Sequence, residues 1–171
     1  MIEKVIRNYL EIKSIKELLE VNKPSNDYIL EKISKNDFQL NKFFYKQIGK
    51  NYYWSDRLAW TDRQWINYVS NPDVFAYVLM RKKDVVGFFE FIYHRNKSEI
   101  EIAYFGLLKE HMEKKLGGYM LSEAIKKSFI FKIKRVWVHT CSLDHKNALK
   151  NYLSRGMKVF KSEVIKKRES A

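Results

Sequence analysis

The stretch EIAYFGLLKEHMEKKLGGY, residues 101–119, decides how the rest of the chain is read. Its first part belongs to a run from Ser98 to Leu107 in which Glu99, Glu101, Ala103 and Phe105 fall on one face and Ile100, Ile102 and Tyr104 on the other, the two-residue period of a strand. The charged segment 109–115 breaks that pattern. From Leu116 onward, Leu116, Met120, Leu121, Ala124, Ile125 and Phe129 recur at helical spacing. A strand that leads through a loop to a helix start bearing Gly117 and Gly118 has the makings of a phosphate site. The first N–H groups of a helix lack internal acceptors and together carry about half a positive charge. Glycines there let the backbone approach a phosphate; close packing at a helix entry would call for them equally.

The flanking segments complete a pattern of strands and helices. Upstream, residues 2–12 read as a strand, a short helix is expected around Ile15 to Leu19, a turn at 22–26 and a strand at 28–33. Asn36 and Asp37 offer caps to a helix carrying Leu40, Phe43, Phe44 and Ile48, and Thr61 or Asp62 caps a second through Trp65, Ile66 and Val69 to Asn71-Pro72. Val74 to Arg81 and Val85 to Tyr93 form a hairpin about Lys82-Lys83-Asp84. Downstream come an apolar strand, Arg135 to Cys141, a helix capped by Asp144 and closed by Gly156, and a last strand around Val159 to Ile165. Strands alternating with helices predict an α/β fold, a mixed sheet with helices on its faces.

Composition narrows the class. With 171 residues, 46% hydrophobic, two prolines and six glycines, the chain reads as one domain, 1–171, without a linker. No apolar run reaches the ~20 residues of a membrane helix, and Glu3, Lys4, Arg7 and Glu11 break any signal-peptide core, so no membrane partner is expected and a cytoplasmic location is. The lone Cys141 excludes an internal disulfide. The net charge of +13 raises nucleic acid as a partner, but the charge is spread along the chain, and 25 lysines to 8 arginines is not the make-up of a base-reading surface. His139, Cys141, Asp144 and His145 are metal-ligand types, yet strand placement of the first two closes no tetrahedral set, so no metal is expected.

Two further segments carry chemistry. Ala148-Leu149-Lys150-Asn151-Tyr152-Leu153-Ser154-Arg155-Gly156-Met157 sets a tyrosine four residues before a helix-ending glycine. On residues alone, Tyr152 belongs to the apolar stripe of its helix. The stretch 52–65 packs Trp54, Asp56, Arg57, Trp60 and Trp65 together. Aromatic walls with Asp56 suit a cationic amine; Trp60 and Trp65 as core filling, with Asp56 paired to Arg57, fits the same residues.

The order of elements and these motifs resemble the GNAT superfamily of N-acetyltransferases over almost the whole chain. Lys114-Lys115-Leu116-Gly117-Gly118-Tyr119 takes the place of the family's Q/R-x-x-G-x-G/A loop, with Lys114 for Gln or Arg and Tyr119 for the final small residue. Residues 148–157 are similar to its A-x-x-x-Y-x-x-x-G-F signature, with Met157 for the last aromatic and His145 for the Asn that commonly precedes this helix. The W-x-D-R, W-x-D-x-Q-W and V-W-V-H-T-C-x-L-D-H segments resemble a bacterial subgroup.

The resemblance implies acetyl-CoA as cosubstrate, its diphosphate at Lys114, Lys115, Leu116, Gly117, Gly118 and Tyr119, and its pantetheine arm along Phe105, Gly106 and Leu107, where Gly106 suits a bulge. Tyr152 would protonate the departing thiolate. Glu101, sixteen residues before Gly117, would deprotonate the amine; as a plain surface carboxylate it would do nothing. Trp54 and Asp56 would meet the acceptor, a small-molecule or peptide amine whose identity stays open, as does a homodimer. The departures at Lys114 and Tyr119 motivate a rival, a CoA-binding or regulatory module without catalysis, and the charge motivates another, a nucleic-acid binder.

Overall fold

The computed structural model of the chain describes residues 2–112 and 114–168. Its strands are β1 (Ile2–Ile12), β2 (Tyr28–Lys32), β3 (Val74–Arg81), β4 (Asp84–His94), β5 (Glu99–Leu107), β6 (Arg135–Cys141) and β7 (Lys158–Arg168). Its helices are α1 (Phe38–Gly49), α2 (Asp62–Val69), α3 (Leu116–Ser128) and α4 (Ala148–Ser154), with a 3-10 turn at Ile15–Glu17. The expected mixed sheet is there: seven strands in the order β2-β3-β4-β5-β6-β1-β7, antiparallel throughout except for β5 and β6. No helix among the described residues is long and apolar enough to cross a membrane.

Local chemistry accounts for most boundaries. Asp37 accepts from the Leu40 N–H and starts α1. Thr61 and Gln64 form a reciprocal capping box at α2. At the far end of α4, Gly156 has φ 99°, its N–H donates to Leu153 and that of Met157 to Tyr152, a Schellman closure that only glycine enters without strain. The expected Asp144 cap of α4 is not what forms. Asn147 is the N-cap and makes no side-chain bond, while Asp144 accepts from the Cys141 N–H at 2.8 Å and the Thr140 hydroxyl at 2.6 Å, closing the loop after β6 instead.

The sheet separates two cores. Leu10, Phe89, Phe91, Ile100, Ile102, Val136 and Val138 pack with Leu116, Met120 and Ile125 of α3. On the other face Ile33, Val78 and Phe88 pack with Phe44 and Ile48 of α1. Strand β4 is covered on both sides, which explains why apolar residues fill both of its faces on either side of the buried Glu90.

The expected bulge at Gly106 lies elsewhere. Glu90 faces Tyr104 and Phe91 faces Ile102, so Ala103 is the extra residue, whereas Gly106 sits in register with Phe88. This one-residue slip swaps the faces beyond it. Phe105 and Leu107 therefore join Ile100 and Ile102 in the α3 core, and Tyr104 turns to the α1 side, opposite to strict alternation. Gly106 answers to helix packing, because a Cβ there would stand 2.7 Å from Ile48 Cγ2.

Candidate active site

The one parallel pair holds together only briefly. Glu99, Ile100 and Glu101 face Arg135, Val136 and Trp137, and beyond that point β5 and β6 have no register. The parting strands open a cleft of about 920 Å³, within the range of small-molecule sites. Just past the end of β5 the Leu108 N–H donates to Val86 of β4. Backbone groups alternate sides along an extended strand, so those of Phe105 and Leu107 face the side that β6 has left. Of the residues singled out in sequence, Trp54, Asp56, Glu101, Phe105, Gly106, Leu107, Lys115, Leu116, Gly117, Gly118 and Tyr152 line this cleft. Lys114 and Tyr119 do not; Tyr119 is buried in the α3 core, which takes its ring away from the helix start.

At one end lies the start of α3. Lys115, the N-cap residue, is left-handed at φ 61°, and no side chain caps the first-turn amides. Gly117 is tied to α4 through its carbonyl, which accepts from Asn151 Nδ2 at 3.1 Å. Beside Gly118 lies the guanidinium of Arg155, occupying the place of a Cβ. A side chain at Gly118 would displace the movable end of Arg155 and crowd Val21, 3.0 Å from the same point.

Tyr152 forms the middle of one wall. Its ring is 6% exposed and edge-on to Phe105. Burial, with the Asp144 charge adding to it, pushes the phenol well above the ordinary tyrosine pKa, so it keeps its proton at neutral pH.

The other wall is aromatic. Trp54 packs edge-on against Tyr104 at 4.7 Å, and the Tyr104 hydroxyl donates to the exposed Asp56 at 3.4 Å. Asp56 does not pair with Arg57. Arg57 turns inward and grips Glu90 of β4 with both nitrogens, at 3.1 and 2.9 Å, while the Tyr68 hydroxyl donates to the same carboxylate at 2.8 Å. Rings of Tyr68, Tyr104 and Trp60 lie 4.0, 4.5 and 4.8 Å from its carbon centre. Burial alone would lower the guanidinium pKa; the Glu90 charge and hydrogen bonds outweigh it and hold Arg57 fully ionised. Trp65 is the core residue expected, 0% exposed, whereas Trp60 lines the cleft beside Arg57.

Glu101 lies at the fork of the strands and is not a free surface carboxylate. His94 Nε2 is 3.1 Å from its Oε1, and the His94 ring stacks on Trp137. His139 follows on the cleft floor, held below the ordinary histidine pKa by the protein around it and by the Arg7 charge. Sequence reasoning missed His94, Glu90 and Arg155. Only Arg155 had a legible signal, its place inside the quoted 148–157 signature. Among the described residues no cluster of three or more His, Cys, Asp or Glu would hold a metal ion.

Comparison with known proteins follows the same lines. No curated protein sequence matches the chain. Among solved structures, a conserved protein of unknown function from Staphylococcus epidermidis superposes at TM-score 0.66 with 18% identity, covering 95% of this chain and 61% of that one. A GCN5-related N-acetyltransferase from Kribbella flavida gives 0.68 with 15% identity, covering 100% and 60%. The chain thus spans about 60% of the length of these two proteins. A PaiA N-acetyltransferase from Thermoplasma acidophilum in complex with coenzyme A gives 0.50 with 21% identity, covering 62% and 74%. Identities this low speak for the fold alone. The sequence model of the acetyltransferase (GNAT) family, however, matches residues 36–157, from the cap of α1 through the close of α4. With the greater part of its length under that model and the fold of such enzymes around the parted strands, this chain belongs to the acetyltransferase (GNAT) family.

Proposed function

We propose that the protein is an N-acetyltransferase that moves an acetyl group from acetyl-CoA to a primary amine by direct attack in a ternary complex. One observation carries this reading: the cleft between β5 and β6 runs without interruption from the uncapped start of α3, past Tyr152, to Glu101. A phosphate-binding pole, a loaded proton donor and a carboxylate then lie in the order that a long thioester and an amine require.

The residues present fit acetyl-CoA. The first-turn amides of α3 have no cap to displace, and Lys115 adds charge beside them. Along β5, the outward backbone groups of Phe105 and Leu107 supply an edge for the amide-bearing arm, and a donor aimed at the thioester oxygen typically contributes about 10²- to 10³-fold in rate. Glu101 accepts a proton from the ammonium form of the acceptor, a step worth typically about 10²- to 10⁴-fold. The freed amine attacks the carbonyl carbon, the carbon–sulfur bond breaks, Tyr152 delivers its proton to the departing thiolate, and the second proton shed by the nitrogen as the amide forms restores the phenol. Trp54, Tyr104 and Asp56 provide aromatic faces and a negative charge for the cationic end of the acceptor. Arg57 is neutralised by Glu90 and so does not itself compete with the cationic end of the acceptor.

Calorimetric titration with acetyl-CoA and CoA, followed by thiol release across a panel of amines, tests this. Binding in the micromolar range and turnover of at least one amine are expected. A folded chain that binds neither nucleotide refutes the reading; binding without turnover of any amine reduces it to a CoA-binding module.

A further inference from the structure

Among the described residues, Arg155 has no ionic partner. It ends α4, its carbonyl accepts from the Leu19 N–H at 3.0 Å, and its side chain lines the cleft where α3 begins. Its Nη1 presses against Gly118 in the first turn of α3, and its Nε is shielded from solvent with no hydrogen-bond partner among the described residues. None of the described acidic side chains forms an ion pair with it, whereas Arg57 and Arg135 pair with Glu90, Glu11 and Glu99. Burial accordingly pulls its pKa down, and no described neighbour offsets the effect.

The position is electrostatically adverse. A helix start bears positive partial charge, and a cation beside it is repelled. Unmet guanidinium donors in a partly buried place add a desolvation cost. An anion placed between the two positive groups would relieve both costs. Lys115 lines the same end of the cleft, while Lys114 stands outside it, so the loop itself brings one lysine and no planar fork. A guanidinium offers two parallel donors matched to two oxygens of a phosphate, which lysine cannot do.

We propose that Arg155 is a ligand of the CoA diphosphate, clamping it against the start of α3 from the α4 side. Gly118 is then the residue that admits the guanidinium, and Gly117, held by Asn151, fixes the amides it works with. The proposal rests on the reading that the chain binds acetyl-CoA, and the two fail differently.

Calorimetry on the full chain uses CoA and dephospho-CoA, which keeps the diphosphate and lacks the ribose 3′-phosphate. The parent chain binds both. Arg155→Met weakens both by the same factor, roughly 10- to 150-fold, the loss of one charge-assisted pair. Arg155→Lys falls between the two, and the defect shrinks with added salt. Without ligand, Arg155→Met melts no lower than the parent, because a repelled cation has been removed. Unchanged affinity for both nucleotides overturns the proposal. Loss confined to CoA overturns it as well, by moving Arg155 to the 3′-phosphate. A ligand-free variant that melts several degrees lower makes the side chain structural and counts against it. Failure of the parent chain to bind CoA is a failure of the broader reading instead.

Discussion

Replacing Glu90 by alanine exposes how the acceptor wall is held. In the native chain the Arg57 and Glu90 side chains are 8% and 1% exposed, joined by two hydrogen bonds with a third from Tyr68. Glu90→Ala leaves a guanidinium among the rings of Tyr45, Trp60, Trp65, Tyr68 and Tyr104 with no anion to face. Cation–π contacts, about 0.5–2 kcal/mol each, do not replace a bidentate carboxylate in a site this dry. Breaking one half of a buried pair costs about 3–5 kcal/mol. In a chain of this size that is a fall in Tm of roughly 6–20 °C, at 2–4 °C per kcal/mol. Urea unfolding followed by tryptophan fluorescence reads the loss directly, as a lower midpoint at unchanged slope. The double variant Arg57→Met, Glu90→Leu supplies the control. Removing both charges for apolar volume is expected to recover most of the loss, since a buried pair offers little net stability over a packed apolar one. A loss below about 1 kcal/mol in Glu90→Ala, or a double variant no better than the single, would refute the reasoning.

Three other outcomes follow from the geometry. Tyr152→Phe should lower turnover while leaving CoA affinity within twofold, roughly, because only the phenol proton is removed from a wall that stays apolar; presteady-state thiol release separates the two. Gly106→Ala should destabilise by about 1–3 kcal/mol, as its methyl meets Ile48 Cγ2 at 2.7 Å and α1 must move off the sheet; thermal melting reads it. His139 should titrate below its unfolded value in a proton NMR series, because partial desolvation against the cleft wall and then the Arg7 charge disfavour its charged form. Its folded pKa being the lower one, its contribution to stability is complete above the unfolded pKa and is lost as pH falls through the folded one. Arg7→Gln should bring that titration back toward the unfolded value.

Most of the fold was legible because its signals are local. The cap at Asp37, the Thr61–Gln64 box, the αL close at Gly156 and the periodicities of α1, α3 and β3 each act within a few residues, and each appears where short-range chemistry puts it. The candidate site was legible in part for the same reason: Gly117, Gly118 and Tyr152 lie in short segments with a characteristic order.

Tertiary structure decided what depends on pairing across distance. Strand alternation gave the wrong face for Phe105 and Tyr104, because the extra residue at Ala103 is set by register with β4 and by nothing in β5 alone. Arg57 took Glu90, 33 residues away, over its neighbour Asp56, because turning inward gave it a bidentate carboxylate in a dry aromatic setting, where a charge-assisted bond is worth most. Asp144 took the Cys141 amide over a helix cap, and His94 reached Glu101 only once β4 and β5 lay side by side. The unpaired state of Arg155 is the clearest case. A sequence names the cation, but only the packed chain reveals that none of the described acids pairs with it, since the absence of a partner is a property of every surrounding element at once.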